Sequence, residues 1–139
     1  MNDMAQAAGA RSTAAVVEAL YAAFLQGNGD DMLALFSDDV SLRFLGQVDV
    51  SGIEEARRFF AFAGGLLADV RFRIERKIID GEWAAVTWTE TARTAAGAEW
   101  ANHGVDVVHV VGGRVVALHE NNDVRLVAQH FPRYQPGPG

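Results

Sequence analysis

The chain contains no cysteine, which excludes disulfides, thiolate catalysis and cysteine-based metal sites and fits a cytoplasmic compartment. Basic charge is also scarce: 12 Lys and Arg stand against 18 Asp and Glu, and the net charge of −6 argues against a nucleic-acid or anionic-membrane surface. Arg71, Arg73, Arg76 and Lys77 are interleaved with apolar residues rather than clustered. No hydrophobic run is long enough for a membrane span. The most apolar stretch, residues 59–68, falls far short of the roughly 20 residues a bilayer requires. The opening MNDMAQAAGA has neither the basic start nor the compact apolar block of an export signal.

What remains is a chain of 139 residues, half of them apolar, which is long enough to close one core around a cavity and too apolar for disorder. One domain is expected over residues 12–131, between a disordered tail at 1–11 and a flexible one at 132–139. Ser12 can cap a helix to about Gln26 with Val16, Val17, Leu20, Tyr21 and Phe24 on one face, and Gly27 ends it. A short helix is expected after Asp30, carrying Met32, Leu33, Leu35 and Phe36; then a turn at Ser37, Asp38 and Asp39 and a short strand at 40–45. Ser51 and Glu54 have the spacing of a capping box, ahead of a third helix carrying Ile53, Ala56, Phe60 and Ala63. From there the period changes from 3.6 to 2. Val70, Phe72, Ile74 and Ile78 alternate along a strand, Asp80-Gly81 suits a tight turn, and strands are expected at 83–93, 99–111 and 114–122. Asp123 is placed to cap the segment 124–130.

The last two strands hold the candidate chemistry. Asp106 and Glu120 interrupt apolar alternation, with Asn102 and Asn122 near the strand ends. Both faces of these strands carry apolar residues, Val108 and Val110 on one and Val105 and Val107 on the other, so a homodimer through the outer face is expected. His103 and His109 share a face without a third ligand, so no metal site is expected. Trp88 and Trp100 are expected in packing or interface roles.

Two segments carry a resemblance. AVVEALYAAFLQGNGDDMLALFSDDVSLRFLG (15–46) resembles the opening of ketosteroid isomerase, and DVVHVVGGRVVALHENND (106–123) resembles the ending of SnoaL-like polyketide cyclases. Both belong to the nuclear transport factor 2-like superfamily. The resemblance implies an α+β fold: a cone-shaped curved antiparallel sheet, closed around a pocket by three helices from the N-terminal half. It places the isomerase's oxyanion-hole tyrosine on Leu20, with Tyr21 pointing elsewhere, its base on Arg43 or Phe44, and its oxyanion-hole acid on Asp106. The base is missing, so that isomerase's proton shuttle cannot be written here. The epoxide hydrolase's third-strand pair falls near Thr91 and Arg93, which cannot reproduce it. The cyclase acid/base position falls on Glu120.

Whether the two acids meet depends on the hairpin turn. A three-residue loop, Val111-Gly112-Gly113, pairs Asp106 with Leu118 and sets both acids on one face, two rungs apart, with Val108, Val110, Val116 and Leu118. A two-residue loop, Gly112-Gly113, pairs Asp106 with His119 and turns Glu120 to the opposite face. The family ending has the spacing of the three-residue loop. The expected function is a cofactor-free cyclase or isomerase acting on an apolar carbonyl compound such as a polyketide. Asp106 and Glu120 are its catalytic candidates. Asn102, Asn122, Leu20, Phe44, Phe60, Phe72, Val108 and Leu118 are expected to bind the substrate. The alternatives are a non-catalytic binding protein of the same fold and an epoxide hydrolase-like enzyme.

Overall fold

The computed structural model describes residues 11–44 and 48–137. The expected disordered tail lies outside them, apart from Arg11. Helix α1 (Thr13–Leu25) starts where Ser12 Oγ accepts the Ala15 N–H at 3.1 Å, and it buries Val16, Val17, Leu20, Tyr21 and Ala23. Gly27, at φ +71°, reverses the chain. Asn28, not Asp30, caps the short α2 (Gly29–Leu33), because its side chain takes the Asp31 N–H. That earlier start leaves Phe36 free to open strand β1 (Phe36–Phe44), which also absorbs the expected turn at Ser37, Asp38 and Asp39. Strand β2 (Val48–Ser51) has no counterpart in the sequence reading; it pairs antiparallel with β1, Ser51 opposite Ser41.

The capping box is not formed. Ser51 is held in that ladder, and the N-cap of α3 (Ile53–Ala63) is Gly52 at φ +99°, with no side-chain bond. The long meander follows as expected: β3 (Leu67–Asp80), β4 (Trp83–Thr94), β5 (Glu99–Val111) and β6 (Arg114–Asn122). Among the described residues six strands form one sheet in the order β2-β1-β6-β5-β4-β3, and because β1 runs parallel to β6 the sheet is mixed rather than antiparallel throughout as expected. A register shift in β3 between Ile74 and Arg76 reverses its facing. Lys77 thereby turns toward α1, reaching Glu18 at 2.6 Å, and Ile78 is exposed instead of continuing the buried phase.

The sheet curves around α1, α2 and α3, as the resemblance implies, and the main core lies between them. A smaller cluster of Trp100, Val127 and Phe131 sits under α4 (Val124–His130). Asp123 caps this helix by accepting the N–H groups of Arg125 and Leu126. Beyond it, in the segment read as a flexible tail, Tyr134 is buried against Phe59 and Phe62.

Candidate active site

The β5–β6 turn is the two-residue one. Gly112 and Gly113 both have positive φ, +59° and +79°, and Val111 pairs with Arg114. Continued unbroken, this register would set Asp106 against His119. A bulge intervenes: Val110 pairs with Val115 and His109 with Ala117, so Val116 is the extra residue. The added residue restores the facing that the short loop would have inverted. Asp106 therefore pairs directly with Glu120, and Gly104 with Asn122. Neither expected register is correct. The loop is the short one, yet the acids share a face and stand on the same rung. Val115, fully buried, takes the inner place expected for Val116.

Asp106 is 4% exposed. Its Oδ2 accepts the Tyr21 hydroxyl at 2.5 Å and its Oδ1 accepts Trp88 Nε1 at 2.9 Å. Burial pushes the carboxyl up to about 6; the two donated hydrogen bonds oppose that rise, and the nearby charge of Glu90 adds to it. Tyr21 is raised above its ordinary value, first by burial and then by the charge of Asp106, so it stays a proton donor throughout the working range. Tyr21 thus does not point elsewhere, as the resemblance placed it. It shares the buried face of α1 with Leu20, and the hydroxyl carries it on to Asp106. Gly104 makes room for this network, since a Cβ there would lie 2.7 Å from the Trp88 ring and collide with the Asn121 carbonyl.

A cavity of about 440 Å³ opens beside the acids, bordered by Phe44, Phe60, Phe72, Trp88, Trp100 and Phe131 among others. A small inner chamber of about 30 Å³, with room for a substituent oxygen or a water, is bordered by Leu20, Tyr21, Asp106 and Leu118. Glu120, Phe44, Phe60 and Phe72 border both, which puts Glu120 at the threshold. Asn122 donates to Glu120 Oε2 at 3.0 Å. Asn102 borders the main cavity, but its Oδ1 accepts the backbone N–H groups of His103 and Asp123, at 2.8 and 3.2 Å, and so pins the strand end. Val108, expected to bind substrate, is fully buried and borders neither chamber.

Four residues with other roles or none in the sequence reading belong to the site: Tyr21, Trp88, Glu90 and Trp100. The two indoles serve carboxylates rather than a mere packing role. Trp100 Nε1 donates to Glu90 Oε1 at 2.9 Å; burial raises the Glu90 carboxyl and this bond opposes the rise. The signal for Glu90 was present, as it continues the inward phase of Ala84, Val86 and Trp88 on β4. On β1, Phe44 lines the cavity while Arg43 is exposed and pairs with Asp49, so neither supplies a base. Thr91 and Arg93 are exposed and border neither chamber. Among the described residues no group of three or more His, Asp or Glu is arranged to hold a metal ion, and no helix is long and apolar enough to cross a membrane.

A curved sheet wrapped round a pocket that helices close defines the cone of the nuclear transport factor 2-like proteins. Within that superfamily the chain belongs to the SnoaL-like family, whose domain model, described as a SnoaL-like domain, matches residues 17–118. Among solved structures, the chain is similar to an NTF2-like protein of unknown function from Burkholderia pseudomallei K96243, with 21% identity, a TM-score of 0.76, and 85% of this chain and 95% of that one covered. It is similar to a candidate polyketide cyclase from Pseudomonas putida KT2440, with 20% identity, a TM-score of 0.71, and coverage of 88% and 99%. It is also similar to TerC, crystallized with polyporic acid, with 17% identity, a TM-score of 0.75, and coverage of 85% and 96%. At these identities the likeness is one of fold. The chain matches none of the curated proteins.

Proposed function

We propose that the chain is a cofactor-free acid/base enzyme, a cyclase or isomerase acting on an apolar carbonyl compound of the polyketide type. One observation carries this reading: Asp106 and Glu120 face each other across adjacent strands, one at the inner chamber and the other at its threshold. A substrate oxygen in the inner chamber would meet Tyr21, and the carbon next to it would lie near Glu120. With Asp106 protonated, its O–H donates to the Tyr21 oxygen, and the Tyr21 proton turns to the substrate oxygen as negative charge develops there. Glu120 removes the proton from carbon and returns it at the product position. A carboxyl raised to about 6 gives Asp106 both forms near neutral pH. The candidate cyclase among the structural relatives agrees with this class of reaction.

The test is deuterium incorporation at the central carbon of an aromatic β-diketone in heavy water. Replacement Glu120→Gln, with unchanged circular dichroism, lowers the enzyme-dependent rate by about 100-fold or more; an unchanged rate contradicts the assignment. A second reading, a binding protein without turnover, draws on the fact that both Asp106 oxygens already accept ring donors. Under it the diketone binds and does not exchange.

The outer sheet face carries Val105, Val107, Ile78 and Trp83, with Trp83 stacked on His109 at 4.0 Å between ring centres. We assign this face to a cytoplasmic homodimer.

A further inference from the structure

The polar lining of the cavity is one-sided. Among the described residues no Lys, Arg or His borders either chamber, whereas three carboxylates do: Glu90, Glu120 and Asp106. Four side-chain donors at the main cavity are already committed, and the Asn102 amide nitrogen is a further donor there. Trp88 donates to Asp106, Trp100 to Glu90, Asn122 to Glu120, and Asn28 to Asp31. Among the described residues, meanwhile, Asn122 Oδ1 is a buried acceptor with no hydrogen-bond partner. An anionic ligand would meet negative charge with few donors to hold it, in a setting where water screens little. A cation would meet carboxylates and the faces of aromatic rings.

We propose that the main cavity selects a ligand bearing a positively charged amine on an apolar or aromatic body. The charge sits by Glu90 and Glu120, and the body lies against Phe44, Phe60 and Phe72. The inference rests on the reading above only in placing the ligand in the same cavity, and it holds whether or not the ligand turns over.

Three probes of one shape and different charge test it: benzyltrimethylammonium, neopentylbenzene and benzylsulfonate, each titrated against tryptophan fluorescence. Trp88 and Trp100 border the cavity and report occupancy. The ammonium is expected to bind tightest, at least about tenfold tighter than the sulfonate. The double variant Glu90→Gln with Glu120→Gln should weaken the ammonium about tenfold and leave neopentylbenzene within about twofold. Equal binding of all three overturns the cation selectivity while leaving the acid/base reading to the diketone exchange. Tighter sulfonate binding, no saturable ammonium binding, or an ammonium preference that survives the double substitution also overturns it.

Discussion

Gly104 and Asp106 are two residues apart on β5, and each makes sense only through the other. The missing side chain lets Trp88 lie across the strand and reach the carboxylate. Gly104→Ala should therefore cost about 2–4 kcal/mol, since backbone and ring must both move to admit one methyl group. Urea denaturation measures the loss, and tryptophan emission should shift as Trp88 leaves Asp106. Asp106 also marks what a sequence can and cannot reveal at this scale. An acid amid apolar alternation was a visible signal, as was Glu120. Tyr21 was not, because its identity as an Asp106 partner depends on where α1 crosses the sheet. Burial explains the energetics: folded Asp106 keeps its proton to higher pH than the unfolded chain, so its contribution to stability falls as pH rises from about 4 to about 6.

Elements were legible where local chemistry decided them. The bounds of β5 and β6 follow from alternation and from Gly112-Gly113, and those of α1 from Ser12 and Gly27. Elements failed to follow local signals where tertiary pairing won. Ser51 has the residue type and spacing of a cap, but pairing with Ser41 takes it into β2. The bulge at Val116 leaves no mark in the sequence, since Val115 and Val116 are the same residue and packing alone chooses which is buried. The two candidate caps give a direct comparison. Asp123→Ala should destabilise by about 1 kcal/mol through the lost N–H partners of Arg125 and Leu126. Ser51→Ala should change stability by less than about 0.5 kcal/mol. Equal losses in urea titrations would contradict the cap assignments.

For the whole molecule, the cone separates two apolar surfaces by the thickness of one sheet. The inner one lines the cavity, and the outer one includes Val105 and Val107 on β5 and exposed Ile78 on β3. In the proposed homodimer the outer face is covered, which predicts a species of twice 15.0 kDa in sedimentation equilibrium. Val107→Glu, at the centre of that face, should yield folded monomers, because an unpaired charge in an apolar interface carries a desolvation penalty of several kcal/mol. A wild-type monomer at micromolar concentration would contradict the assignment. The fold class was readable because three amphipathic helices followed by a run of four alternating strands leave few ways to pack. The contents of the cavity were less so, since they depend on which residues of β4 and α1 meet across it.

The proposed chemistry requires a buried acid that titrates near neutrality at the inner chamber. Carbon NMR of the Asp106 side-chain carboxyl, followed against pH, tests this directly. The expected midpoint is about 6, with the carboxyl protonated below it and ionised above. In Trp88→Phe, which removes a donor that favours the ionised form, the midpoint should move higher still. A wild-type midpoint at the ordinary aspartate value near 3.8, unmoved by the loss of Trp88, would contradict the account.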